Sequence, residues 1–125
     1  MPTPPAASRG PTIRLSLRLD LADGSRIGPG QIRLLELIAE AGSLRAAAEA
    51  LDMSYPKALK LTKTLNQIVG GGAVVLAHGG SGGGGATLTE NGALLVTQYR
   101  QLEADARTRH KSAFQALEAL IGDQG

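Results

Sequence analysis

The chain has 125 residues, a formal net charge of +2, and a composition that is 42% hydrophobic and 19% charged. This size and composition indicate one folded globular domain rather than a disordered chain, and the weak positive charge permits a nucleic-acid partner without requiring one. The chain has no cysteine, which excludes disulfides and Cys-based zinc sites, and no apolar run reaches the roughly 20 residues of a membrane span. We therefore expect a cytoplasmic protein.

The first elements are a tail, a strand and a helix. Residues 1–11 are rich in proline and predict a disordered tail without the apolar segment of a secretory signal. TIRLSLRLDL, residues 12–21, alternates apolar with polar side chains, which predicts a strand with one buried face. After a turn at ADGS, residues 22–25, the helical spacing of apolar residues in 30–41 predicts an amphipathic helix.

Two short helices follow, separated by three or four residues. Gly42 ends the first amphipathic helix, and Ser43 is placed as the N-cap of the alanine-rich segment LRAAAEAL. Ser54 caps YPKALKLTKTLNQIV, and Pro56 falls in its first turn, where proline is tolerated. This layout predicts a helix-turn-helix.

The second of these helices has one apolar and one cationic face. On a helical wheel the apolar face holds Ala58, Leu61, Leu65 and Ile68, with Thr62 beside them. The opposite face holds Lys57, Lys60, Thr64 and Gln67, with Lys63 at its edge. No Asp or Glu occurs between Ser54 and Val69. A purely cationic face is what contact with DNA requires, and an ordinary solvated face is the alternative.

Two short strands are predicted next, with a glycine-rich segment between them. Residues 73–77 and 86–89 are the strands, and HGGSGGGG joins them. Strand, loop and strand after the second helix predict the wing of a winged helix, with the glycines at its tip. A nucleotide-binding P-loop is disfavoured, because Ala86 stands where its lysine should be. A tip that binds no ligand remains an alternative.

A long helical segment completes the chain. It runs from Glu90 to Ile121, with Thr89 as its N-cap and Gly122 as its stop. Its apolar stripe is interrupted by Arg109 and His110 and predicts a dimer interface between two copies. A helix folded back over its own domain is the alternative. The stripe consists of Leu95, Tyr99, Leu102, Ala106, Ala113, Leu117 and Leu120.

These motifs resemble known regulators. Residues 42–65 resemble the helix-turn-helix of LysR-type regulators, and the match rests on Gly42, Ser43, Ala47, Ala48, Ser54 and Pro56. From Ile13 to Leu120 the chain resembles the N-terminal domain of the ModE-type molybdate-responsive transcriptional regulators. That resemblance rests on IRLSLRLDL, Ser54–Tyr55, Asn66–Gln67 and GGSGGGGATLTENG.

The resemblance implies a mainly α fold with a small β wing: a winged helix-turn-helix over 12–89 and a dimerisation helix over 90–122. Family members continue into a molybdate-binding module of small β-barrels, which these 125 residues do not include. We therefore assign no cofactor, metal ligand or molybdate-binding residue to this chain. Ser81 stands where the family often has a lysine, which weakens the charge of the wing tip.

We expect a dimeric, sequence-specific regulator that binds double-stranded DNA at an inverted repeat, acting on molybdate- or metal-transport genes. Ser43 and Arg45 would meet phosphate, and Lys63 would touch the DNA backbone. Tyr55, Lys57, Lys60, Thr64 and Gln67 would face the major groove, where Gln67 could pair with adenine and the lysines with guanine or phosphate. Alternatives are a module that pairs with a separate sensor subunit, and a LysR-like regulator unrelated to molybdate. No catalytic constellation supports an enzyme. The candidate DNA-binding residues are Ser43, Arg45, Ser54, Tyr55, Lys57, Lys60, Lys63, Thr64, Gln67, His78 and Ser81.

Overall fold

The computed structural model describes residues 13–77 and 85–121. The predicted tail, His78, Ser81 and Gly122 lie outside the described residues. The elements in chain order are β1 (Leu19–Asp20), β2 (Arg26–Ile27), α1 (Pro29–Ala41), α2 (Leu44–Ala50), α3 (Tyr55–Ile68), β3 (Val74–Leu76), β4 (Ala86–Leu88), α4 (Glu90–Arg109) and α5 (Lys111–Ile121). Residues 17–100 form one compact unit, and residues 13–16 with 101–121 fall in a second.

The predicted first strand is much shorter than expected. Of the predicted strand, only the two residues of β1 form strand hydrogen bonds. They pair antiparallel with β2, so that Leu19 lies opposite Ile27. The partner strand sets this length, because only Arg26, Ile27 and Gly28 separate the turn from the start of α1 at Pro29. The predicted sidedness holds, since residues 13–20 alternate between half-buried and exposed. The predicted turn is also present, with the Gly24 N–H donating to the Leu21 carbonyl at 2.9 Å.

The core of the unit 17–100 is centred on α1, α2 and α3. Small side chains on α2 and α3 let the helix backbones approach closely: Ala47 and Ala58 are fully buried. The buried Thr62 donates its hydroxyl proton to the Ala58 carbonyl at 2.8 Å, so its burial carries no unsatisfied group. The larger buried side chains include Ile32, Leu34, Leu35, Ile38 and Leu65.

The two wing strands pair with each other and attach to the end of α1. β3 and β4 are antiparallel, with Val74 opposite Leu88 and Leu76 opposite Ala86. Gly42 ends α1 in the left-handed conformation, at φ 69°, which glycine adopts without a steric penalty. Its carbonyl accepts a hydrogen bond from the Ala86 N–H at 2.9 Å. The fold is therefore a winged helix-turn-helix, mainly α with a small β wing, as predicted.

The predicted uninterrupted helix from Glu90 to Ile121 is wrong at one position. α4 ends at Arg109, and α5 begins at Lys111, after a turn at His110. The interruption falls where Arg109 and His110 break the apolar stripe, and helices in proteins are held mainly by packing of an apolar face. Backbone bonds continue across it, from His110 to Ala106 and from Phe114 to His110, both at 3.0 Å.

The side chains of the predicted apolar stripe differ in burial along the C-terminal helices. Tyr99 is 1% exposed within its own unit and donates its hydroxyl proton to the Leu17 carbonyl at 2.6 Å. Leu95 is partly buried against the same core. Tyr99 is therefore covered by its own unit, which corrects the prediction that it belongs to a dimer stripe, whereas Leu95 keeps part of its surface open. Leu102, Leu117 and Leu120 are exposed, at 53%, 47% and 81%.

The other two members of the stripe are alanines. Ala106 is half-buried and Ala113 is exposed. No helix within residues 13–77 or 85–121 is long and apolar enough to cross a membrane.

Candidate nucleic-acid interface

Two serines set the starts of the helices in the helix-turn-helix. Ser43 accepts a hydrogen bond from the Ala46 N–H at 3.1 Å, and Ser54 accepts one from the Lys57 N–H at 3.2 Å. Both predicted N-caps are therefore present. The hydroxyl oxygens of these candidate DNA-binding serines are engaged in capping, which leaves each O–H as a donor toward a ligand.

The connection between the two helices is four residues long, from Leu51 to Ser54. Asp52 adopts a positive φ of 55°, and the Met53 N–H bonds to the Ala48 carbonyl at 2.9 Å. Asp is among the residues that tolerate this left-handed conformation. The turn brings the start of α3 next to α2.

α3 has the two faces predicted for it. Ala58, Thr62 and Leu65 are buried, and Leu61 and Ile68 are half-buried. This face fixes the rotation of the helix in the unit. The opposite face is open to solvent: four side chains are exposed and Thr64 is half-buried. The exposed four are Lys57, Lys60, Lys63 and Gln67.

The charge on this face is concentrated and locally unopposed. Three of the four lysines in the chain lie on α3, and no Asp or Glu occurs anywhere in residues 53–89. Within the described part of the chain, the ion pairs join arginines to acids at other places and involve none of these lysines. We call Lys57, Lys60, Lys63, Thr64 and Gln67 the lysine face.

Tyr55 lies at the edge of the lysine face rather than within it. Around α3 it is about 200° from Lys57 but only about 80° from Lys63, which places it at the edge of that face. Its ring instead lies beneath the guanidinium of Arg45, whose Cζ is 4.6 Å from the ring centroid. The prediction that Tyr55 and the lysines contact the major groove stays a prediction. Both Arg45 and Tyr55 are exposed.

Asn66 ties α3 to the wing, a role that we did not predict. Its Oδ1 accepts from the backbone N–H groups of Ala73 and Val74, at 2.7 and 2.9 Å. Its Nδ2 donates to the Val74 carbonyl at 3.1 Å. One carboxamide therefore fixes β3 against the helix that carries the lysine face. The one signal in the sequence was an asparagine near the helix end, before the run Gly70 to Gly72.

A second set of bonds anchors the start of α4 to the same turn. The Thr89 hydroxyl accepts from the Gly92 N–H at 2.9 Å, as predicted for the N-cap, and donates to the Gly72 carbonyl at 2.7 Å. Asn91 donates to the Gly70 carbonyl at 2.7 Å. A Cβ at Gly92 would collide with the Ala73 carbonyl oxygen, so glycine allows this close approach.

The base of the wing is ordered by the strand pair. The Ala77 N–H bonds to the Gly85 carbonyl at 2.9 Å, at the two ends of the glycine-rich loop. Val75 is 55% exposed on the outer side of β3 and lies opposite the exposed Thr87. The predicted wing-tip contacts through His78 and Ser81 stay predictions.

Residues 13–77 and 85–121 contain no group of three or more His, Asp or Glu side chains placed to hold a metal ion. What the described site offers is an exposed cationic surface on a helix that is rigidly attached to the core and wing.

Known proteins are similar to this chain in sequence and in fold. No protein-family model matches it. It is 34% identical over 109 residues to the molybdenum transport protein ModE of Azotobacter vinelandii, covering 87% of this chain and 40% of that protein. It is 39% identical over 88 residues to the molybdenum-pterin-binding protein MopA of Rhodobacter capsulatus, covering 70% of this chain and 33% of that protein. The chain thus spans less than half the length of these curated relatives.

A solved structure supports the fold. The crystal structure of the CbnR DNA-binding domain in complex with DNA matches this chain with a TM-score of 0.52 and 27% sequence identity. The match covers 70% of this chain and 95% of that domain.

Proposed function

We propose, from the homology of this chain to ModE and MopA, that it is a transcriptional regulator that binds double-stranded DNA. It would act in the cytoplasm, as a homodimer and without catalysing a reaction. The observation that carries the proposal is the lysine face. Its cations are exposed on the second helix of a helix-turn-helix, and no acidic residue occurs between residues 53 and 89.

The buried face of α3 determines which side of the helix could contact DNA. Because Ala58, Thr62 and Leu65 hold one side of the helix in the core, the opposite side is the one that can enter a major groove. Lys57 and Lys60 would contact phosphate or guanine, and Gln67 would pair with adenine. The resemblance of the fold to a domain solved in complex with DNA supports this use of the helix.

Dimerisation would use the exposed apolar residues beyond the winged unit. Leu102, Leu117 and Leu120 remain open to solvent in the single chain. A second copy would cover such residues around a twofold axis, and a twofold dimer reads an inverted repeat. We therefore propose an operator with two symmetric half-sites.

The names of the relatives point to molybdenum physiology. We propose that the controlled genes concern the transport of molybdate or a related metal. The described residues offer no cluster of ligands for a metal ion, and titration with and without molybdate tests whether the chain itself responds to this oxyanion. A LysR-like regulator unrelated to molybdate is the alternative that the CbnR match supports.

A second candidate is a DNA-binding module that pairs with a separate sensor subunit. Leu117, Leu120 and Ile121 expose an apolar surface on α5 that a different protein could cover as well as a second copy.

The test is a fluorescence-anisotropy titration of the purified chain against three duplexes: a molybdate-operator-like inverted repeat, a single half-site and a scrambled control. Titrations at about 50 mM and about 200 mM salt, each with and without molybdate, separate phosphate contacts from base contacts. Salt-dependent preference for the inverted repeat over the other two duplexes supports a dimeric regulator. Binding to none of them contradicts the proposal. Binding only with molybdate would show an oxyanion site in the chain.

A further inference from the structure

The contact between Arg45 and Tyr55 joins the two helices of the helix-turn-helix at their N-terminal ends. Arg45 is the second residue of α2 and Tyr55 is the first residue of α3. They are ten positions apart in the sequence, and the turn at residues 51–54 brings them together. The guanidinium carbon lies 4.6 Å from the centre of the ring, within the range of a cation–π contact.

Arg45 has an acidic neighbour with which it forms no ion pair. Glu49 lies four positions later on α2, the spacing at which helical ion pairs form. The structure instead places the guanidinium over the tyrosine ring, and in the described chain Arg45 forms no salt bridge. Its five N–H donors therefore remain directed to solvent or to a ligand. The Tyr55 hydroxyl likewise has no hydrogen-bond partner among residues 13–77 and 85–121.

The ring restricts an otherwise flexible side chain. An exposed arginine samples many rotamers, and ordering it when a ligand binds opposes binding by an entropic term. Stacking on Tyr55 removes part of this freedom before binding. It also keeps the positive charge beside the first turn of the helix that carries Lys57 and Lys60.

We propose that Tyr55 is a positioning residue: it holds the Arg45 guanidinium ready for a backbone phosphate at the edge of the lysine face. Arg45 makes the contact with DNA, and Tyr55 acts through Arg45. This inference rests on the proposed function and adds to it how one phosphate contact is organised.

The test is a double-mutant cycle of Arg45→Ala and Tyr55→Ala, read by anisotropy on the inverted-repeat duplex at several salt concentrations. Arg45→Ala should lower the salt slope by about one, as expected for one lost phosphate contact. Tyr55→Ala should weaken binding about two- to fivefold, the strength of an exposed cation–π pair converted at 1.4 kcal/mol per decade. In the Arg45→Ala background, Tyr55→Ala should have no further effect.

Tyr55→Phe is the matched control, because it keeps the ring and deletes only the hydroxyl. Retention of wild-type affinity by Tyr55→Phe supports positioning by the ring. Additive losses in the cycle, or a Tyr55→Phe loss equal to that of Tyr55→Ala, overturn this proposal and leave the proposed function standing. Failure of the unmodified chain to bind any duplex overturns both. Circular dichroism of each variant shows that the fold is retained.

Discussion

The side chain of Asn66 is bonded to both backbone groups of Val74: Oδ1 accepts from its N–H at 2.9 Å and Nδ2 donates to its carbonyl at 3.1 Å. α3 and the wing are therefore joined by one carboxamide rather than by apolar packing alone. The same Oδ1 also accepts from the Ala73 N–H.

Replacing Asn66 by alanine should destabilise the protein and loosen the wing. Asn66→Ala leaves the N–H groups of Ala73 and Val74 without their acceptor, at about 1–3 kcal/mol for each group that stays buried. Gln67→Ala is the control, because Gln67 is the exposed neighbour and should change stability by less than about 0.5 kcal/mol. Urea unfolding measures both. Equal stability of the two variants would show that water replaces the carboxamide without loss.

Gly92→Ala should destabilise the fold although alanine favours helix. A Cβ at Gly92 collides with the carbonyl of Ala73, and overpacking of this kind costs about 1–3 kcal/mol, which exceeds the helix-propensity gain of about 1 kcal/mol. Gly30→Ala in α1 is the control, since nothing lies within 4 Å of a Cβ there, and it should be neutral or stabilising. Thermal unfolding of the pair distinguishes the two effects. A stable Gly92→Ala variant would mean that the Ala73 backbone can shift at no cost.

Glu36 on α1 and Arg100 on α4 form a two-pronged ion pair within the unit 17–100. Arg100 donates from Nε and from an Nη to the two carboxylate oxygens, both at 2.8 Å. The hydrogen bonds from Arg100 hold the pKa of Glu36 below its usual range, partial burial opposes this shift, and the hydrogen bond from Arg33 adds to it.

This lowered pKa predicts a pH-dependent contribution to stability. A carboxylate with a lowered pKa in the folded state stabilises fully above its unfolded pKa of about 4.3, and the contribution is lost as pH falls through the folded value. Near neutral pH, Glu36→Gln should reduce the unfolding free energy by up to about 1 kcal/mol, because the pair is partly exposed. The difference between wild type and variant should shrink as pH falls below about 4. A difference that is constant across pH 3–7 would contradict the assignment.

The dimer proposal predicts that a charge on the exposed stripe of α5 separates the copies. Leu117→Glu should yield a monomer, because a carboxylate would be buried without a partner at the interface. Gln115→Glu introduces a negative charge about 200° away around the same helix and should remain a dimer. Sedimentation equilibrium measures the oligomeric state of both variants. An unmodified chain that sediments as a monomer, or a dimeric Leu117→Glu variant, rejects this interface.

The features that the sequence predicted correctly are local. The caps at Ser43 and Ser54 and the two faces of α3 depend on residues within one or two helical turns, so spacing alone identifies them. Two features depend on partners distant in sequence. Tyr99 belongs to a helical stripe, and a stripe does not tell whether its own core or a second copy covers it; the hydroxyl bond to Leu17, 82 residues away, shows the former. β1 is short because its partner strand is short.

The bonds of Asn66 to the wing could not be predicted from the sequence, for a related reason. Its bonds reach seven and eight residues ahead, past the helix end, to backbone groups whose position follows from the wing. No periodicity of side chains signals such a contact.

The most direct test of the central claim is the DNA affinity of Lys60→Glu measured beside that of Lys111→Glu. Both variants change the net charge by the same amount at an exposed lysine, but only Lys60 lies on the lysine face. In anisotropy titrations on the inverted-repeat duplex, we predict that Lys60→Glu loses more than about tenfold in affinity, through a lost phosphate contact and new repulsion. Lys111→Glu should bind nearly as well as wild type, and both variants should keep the helical circular-dichroism signal. Unchanged affinity of a folded Lys60→Glu variant would contradict the assignment of α3 as the DNA-contacting helix.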